Sequence, residues 1–142
     1  MTTDTERSVE LVRTGKNRFR ATNVRGTTLE IGEGEDADFT PVELLLVAIA
    51  GCSGITVDQL TGKRVDPDDF SISIRADKIR DELGNRLTDI EVAFDITFPE
   101  GEAGDHAREI LPRAMAQTHD RLCTVVRTVV TGTPIAEELV ER

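Results

Sequence analysis

The stretch Thr40 to Gly54, TPVELLLVAIAGCSG, restricts the fold of this chain more than any other segment. Thr40-Pro41-Val42-Glu43 fits a capping box, with Thr40 as N-cap, Pro41 at the first helical position and Glu43 returning to the N-cap amide. A helix therefore begins here. From Leu44 onward it is apolar all round, and such a helix must be covered on every side. Near its end it carries a thiol, Cys52, whose presence needs a reason.

The flanking segments read as strands. Ser8 to Arg13, Arg18 to Asn23 and Thr27 to Ile31 are short, rich in Val, Thr and Leu, and separated by turn residues, which predicts an antiparallel meander. Gly32 and Gly34, set among acids, then break the strands with a polar loop. Phe70, Ile72, Ile74 and Ala76 alternate with polar residues, as do Ile90, Val92, Phe94, Ile96 and Phe98. Period two means two half-buried strands, joined through Asp81-Glu82-Leu83-Gly84-Asn85 as a long hairpin.

A second helix is expected from about Gly104 to Arg121, kinked at Pro112, then a last strand from Val125 to Thr131. Thr133-Pro134 before IAEELVER predicts a short terminal helix. The order gives an α+β domain with helices packed on an antiparallel sheet. One six-stranded sheet covers one side of the apolar helix only, so a second subunit is the natural cover for the other, and a homodimer is expected.

At 142 residues the chain has the length of one domain, with residues 1–7 expected as a loose tail. Its 17 Lys+Arg against 27 Asp+Glu give a formal charge of −10, which repels polyanions and argues against nucleic-acid binding. The opening residues MTTDTERSVE have early acids and no apolar run, unlike a secretory or transit peptide, so a cytoplasmic location is expected. The uninterrupted apolar stretch Leu44 to Ala50 falls short of the roughly 18 residues of a membrane span, and no membrane association is expected.

Several catalytic patterns are absent. Gly51-Cys52-Ser53-Gly54 is not a G-x-S-x-G elbow, there is no phosphate-binding G-x-x-x-x-G-K-[ST], and Gly32-Glu33-Gly34 lacks the third glycine of a dinucleotide fingerprint. With only His106 and His119 and no C-x-x-C or H-E-x-x-H, no metal site is expected; His119 and Cys123, four apart, read better as a solvated histidine near a helix end than as ligands. Cys52 and Cys123 remain, each predicted near the end of a helix. In a reducing compartment such a pair is either two buried hydrophobes or a redox couple, and the residues alone leave both open.

Thr40-Pro41-Val42-Glu43-Leu44-Leu45 leading to Ala50-Gly51-Cys52, followed after the second helix by Cys123-Thr124-Val125-Val126, resembles the OsmC and organic-hydroperoxide-resistance (Ohr) family over roughly residues 8 to 135. The resemblance implies an OsmC-like fold, with antiparallel sheets wrapped around two central helices in an intertwined homodimer. It also implies oxidative or osmotic stress defence by reduction of organic hydroperoxides, with Cys52 as peroxidatic and Cys123 as resolving cysteine. In that scheme the Cys52 thiolate becomes a sulfenic acid, condenses with Cys123 to a disulfide, and is restored by an external dithiol such as a lipoylated protein. No cofactor is required.

The family further implies an arginine from the N-terminal strands, held by an acid near the start of the first helix. Arg18 and Arg20 lie in the matching region, Arg18 preferred, with Lys16 nearby. The organic-hydroperoxide branch has its acid directly after the proline, where this chain has Val42; Glu43 is one place on, about 100° round the helix, and the capping box accounts for it. Many members have proline after the second cysteine, and this chain has Thr124. The alternative is a dimer of the same fold that binds an apolar ligand between subunits with little turnover. A working peroxidase is expected to hold the Cys52 pKa well below about 8.5.

Overall fold

The computed structural model describes residues 5–141. The chain divides between Leu45 and Leu46 into two compact units. The first contains the meander: β1 (Val9–Gly15), β2 (Arg18–Asn23) and β3 (Thr28–Ile31), paired antiparallel in that order. The β1–β2 turn passes through Asn17 in the left-handed region, at φ 58°, which asparagine tolerates. The first helix, α1, begins in this unit and runs Pro41–Thr61. Its start is the expected capping box: the Thr40 N–H donates to Glu43 Oε1 at 2.9 Å and the Glu43 N–H donates to Thr40 Oγ1 at 3.2 Å.

In the second unit α1 continues for four turns beyond Leu45 without a break. Cys52 therefore stands near the middle of this helix and not near its end. Thr56 and Thr61 are tolerated because their hydroxyls bond back to the carbonyls of Cys52 and Val57, at 2.9 and 3.1 Å. At 21 residues and a mean hydropathy of 1.6, α1 has the length and composition of a membrane-crossing helix, which the uninterrupted apolar run did not suggest. Here it packs protein, with Ile49, Ser53, Gly54, Val57 and Thr61 buried.

The long hairpin follows as β4 (Asp69–Asp81) and β5 (Gly84–Thr97). Its alternation holds in register: Phe70 opposes Ile96, Ile72 opposes Phe94, and Ile74 opposes Val92. These pairs make one apolar face. At its tip the Asp81 carboxylate accepts the Leu83 N–H at 3.0 Å and pairs with Arg86 at 2.6 Å.

Helix α2 (Glu102–Gln117) starts two residues earlier than expected and continues through Pro112. It does not run on to Arg121. A π-helical turn, Thr118–Leu122, replaces its last stretch, closed by the Cys123 N–H on the Thr118 carbonyl at 2.9 Å.

Two expectations fail beyond this point. Val125 to Thr131 is not a strand: Thr124–Thr131 is an α-helix, α3. Its β-branched composition suggests a strand, but Cys123 caps its start, Gly132 at φ 71° ends it, and Thr128 and Thr131 bond back to the carbonyls of Thr124 and Arg127. Capping and packing outweigh a propensity difference of less than about 1 kcal/mol per residue. With that strand gone no six-stranded sheet forms among the described residues; the strands form a three-stranded and a separate two-stranded sheet. The expected terminal helix is also absent, and residues 133–141 are irregular, with Ile135 and Leu139 each 89% exposed. A short amphipathic segment with nothing to bury its apolar face against does not hold a helix.

Candidate active site

The second unit brings Cys52 and Cys123 together. Cys52 projects from the middle of α1, half-buried, and Cys123 lies fully buried at the junction of the π-helical turn and α3. Cys123 forms a buried cluster with Ile49 and Val126, against which Cys52, Ile74, Ile90, Val92 and Val125 pack. Both thiols are free, and the Cys52 thiol is within hydrogen-bonding reach of Cys123.

The surroundings treat the two sulfurs differently. Burial pushes the Cys52 thiol up from its ordinary value; the Val125 backbone pulls against this, and the neighbouring Cys123 adds to the rise. Burial also pushes Cys123 upward, but hydrogen bonds from Cys52, Val126, Ser53 and Val125 outweigh it and leave Cys123 below its ordinary value. The Val126 N–H donates to Cys123 Sγ at 3.5 Å and the Ser53 hydroxyl donates at 3.6 Å. Within the chain, then, burial leaves Cys52 raised while the hydrogen bond from Cys52 is the chief influence holding Cys123 down; the start of α3 donates toward both sulfurs, Thr124 and Val125 to Cys52 and Val125 and Val126 to Cys123.

The charged residues singled out in the sequence all lie in the first unit. Arg18 is half-buried and ion-paired with both Asp36 and Asp38. Arg20 is exposed and pairs across the strands with Glu30 at 2.6 Å, in the register that places the two opposite. Glu43 is engaged in the helix cap. Lys16 belongs to the β1–β2 turn.

Three hollows adjoin the second unit's helices. A broad groove of about 750 Å³ runs between α1 and β4, lined by Val47, Gly51, Ile55, Phe70 and Ile72, with Asp58 and Asp66 at its margin. A cavity of about 280 Å³ lies beside the thiols, walled by Ile90, Val92, Phe94, Met115 and Val126, with Ser53, Thr118 and His119 as its polar lining. A smaller one of about 130 Å³ is lined by Ile49, Val129, Val130 and again His119. Among the described residues no group of three or more His, Cys, Asp and Glu side chains assembles into a metal-binding cluster.

Ser53 and the start of α3 are parts of this site that sequence reasoning missed. Gly132 after TVVRTVVT was a helix-stop signal that could have revealed α3. The partner of Ser53 had no local signal.

A family model described as OsmC-like protein matches residues 32–138. An uncharacterized protein of Mycobacterium tuberculosis is 32% identical over 130 residues, covering 91% of this chain and 93% of its own. Among solved structures, a hypothetical protein of Aquifex aeolicus is similar at 23% identity and TM-score 0.72, over 90% of this chain and 89% of that one. The OsmC-like protein of Mycoplasma pneumoniae is similar at 13% identity and TM-score 0.70, over 92% and 91%. An organic hydroperoxide resistance protein OsmC of Legionella pneumophila is similar at 16% and 0.63, over 90% and 91%. The helices and antiparallel sheets described above are the fold these structures share, and the chain belongs to the OsmC-like protein family.

Proposed function

We propose that this protein is a thiol-dependent reductase of organic hydroperoxides, acting in peroxide stress defence. The observation that carries this reading is the meeting of Cys52 and Cys123, distant in sequence, in one buried apolar cluster. The name of the Legionella relative points the same way. Cys52, the more accessible thiol, attacks the distal peroxide oxygen; the alcohol leaves and a sulfenic acid remains. Cys123 then displaces water from that sulfenic acid, and an external dithiol, such as a lipoylated protein, reduces the disulfide. Two free thiols that must be re-reduced suit a reducing cytoplasm.

Arg18 stays the preferred candidate for the family's arginine, its guanidinium held within the first unit by Asp36 and Asp38. Arg20 and Glu43 are already engaged in a strand pair and a helix cap. The functional unit is taken to be a homodimer, because α1 leaves Val47 49% and Ile55 64% exposed along the broad apolar groove. Sedimentation equilibrium at micromolar concentration is expected to return twice the mass of the chain; the mass of one chain would remove the dimer.

The apolar cavity beside the thiols suits a bulky alkyl or aryl hydroperoxide. Burying about 100 Å² of ligand at roughly 25 cal/mol/Å² gives on the order of 50-fold in kcat/KM for cumene hydroperoxide over hydrogen peroxide. A steady-state assay with a dithiol reductant measures it, and equal values would sink the preference. The second reading, a dimer that binds an apolar ligand with little turnover, is favoured by one observation: burial raises the Cys52 thiol. Absence of dithiol-dependent turnover with either peroxide would select it.

A further inference from the structure

An α-helix leaves its first N–H groups without an intrahelical acceptor, and in α3 the Arg127 N–H closes the first such bond, on the Cys123 carbonyl at 2.9 Å. Three earlier amides remain to be placed. Cys123, standing at the N-cap, accepts the Val126 N–H on its sulfur at 3.5 Å. Thr124 and Val125 direct their N–H groups at the sulfur of Cys52, which packs against this turn from the middle of α1. Val125 also donates toward Cys123, whereas Thr124 serves Cys52.

Among the described residues of the second unit, little else beside Cys52 can meet a charge. Ile49, Ile74, Ile90, Val92 and Val126 give the pair apolar surroundings. Burial there disfavours an ionised Cys52, and the two amides pull the other way. Cys123 is the titratable group that reaches it, and His119 lines the neighbouring cavities. Amides fixed by a capped turn donate more strongly to a charged sulfur than to a neutral one.

We propose that the backbone N–H of Thr124 is a catalytic donor to Cys52, holding its sulfur as the thiolate that attacks. The attack itself rests on the peroxidase reading above. Cys52 ionises by giving its proton to water. Its sulfur then bonds to the distal peroxide oxygen, the O–O bond breaks, and the alkoxide leaves with the electron pair and recovers a proton from water. Two electrons pass from Cys52 to the peroxide, and a sulfenic acid remains.

Thr124 allows the donor to be removed by itself. It is exposed, it is the first residue of α3, and Cys123 before it lies in extended backbone at φ −78° and ψ 104°. Thr124→Pro therefore deletes an N–H at a position where helices tolerate proline. In Cys123→Ser, which keeps an N-cap oxygen and leaves one thiol, iodoacetamide alkylation is followed across pH with no peroxide present. Adding Thr124→Pro is expected to raise the Cys52 midpoint by about one unit and to cut the rate about tenfold at a fixed pH below it. Thr124→Ser, the conservative variant that keeps the N–H, is expected to restore both. Well above the midpoint, where Cys52 is fully ionised in each protein, the rates should converge. A rate lowered equally at every pH reports lost access and overturns the proposal, as does a midpoint indifferent to Thr124→Pro.

A second measurement needs no proline. In Cys123→Ser the Thr124 amide proton resonance is expected to move downfield as Cys52 ionises, and a resonance that ignores that ionisation overturns the donor. Neither measurement depends on turnover. A wild type that consumes no peroxide while Cys52 still answers to Thr124 overturns the peroxidase reading and upholds the donor; an active enzyme indifferent to Thr124→Pro does the reverse.

Discussion

Cys52→Ser is expected to abolish dithiol-dependent peroxide consumption, whereas Cys123→Ser is expected to consume about one equivalent per subunit and stop. The asymmetry follows from the roles of the two sulfurs. A serine hydroxyl stays protonated at neutral pH and is a far weaker nucleophile than a thiolate, so turnover ends at the first step when Cys52 is lost. Without Cys123 the sulfenic acid still forms, but no partner condenses with it and it over-oxidises. Intact mass after one equivalent of peroxide reads the difference. Wild type should lose about 2 Da as the disulfide closes, and Cys123→Ser should gain about 16 Da. Retained peroxidase activity in Cys52→Ser, with no linkage between the cysteines in oxidised wild type, would leave the pair as two packed hydrophobes.

The largest loss of stability is expected at Gly104. This residue is buried in the first turn of α2, where an added Cβ would lie 1.7 Å from the Pro99 carbonyl oxygen and 2.9 Å from its carbon. Those atoms are backbone and cannot rotate aside. The start of α2 would have to move, taking with it Arg108, which holds the Phe98 carbonyl at 3.0 Å and Asp105 at 2.5 Å. Gly104→Ala should therefore cost about 3 kcal/mol, or roughly 10 °C in Tm by thermal denaturation. Gly54→Ala is the internal comparison. Its Cβ would meet Ile72 Cδ1 at 2.5 Å, the far end of a flexible side chain, and about 1 kcal/mol is expected. In a loosely packed site Gly104→Ala would instead gain up to about 1 kcal/mol of helix propensity, and that result would refute the close approach.

The parts of this protein that were legible in its sequence are those written by short-range rules. The Thr40–Glu43 capping box joins residues three apart, and both of its hydrogen bonds are present. The alternation from Phe70 and from Ile90 carried the pairing of a hairpin whose strands are contiguous through a tight turn. The family motif around Cys52 belongs to the same class, since it is a run of neighbours on one helix.

Other features depended on packing across the chain. Thr124–Thr131 has the composition of a strand and becomes a helix because Cys123 caps it and Gly132 stops it while Val126 is buried. The π-helical turn before it, which closes on Cys123, follows from no pattern in THDRL that local propensity would reveal. Cys52 and Cys123 were both visible as thiols, but a sequence does not specify which donors each one meets. That was decided when α1 brought the Ser53 hydroxyl and α3 brought the Val126 N–H to the same sulfur, because hydrogen bonds form between groups that are near in space. The sequence by itself determined which helix and hairpin would form and which thiols were available; only the tertiary structure decided their meeting and their unequal surroundings, since electrostatics at a buried sulfur is set by its neighbours across the fold.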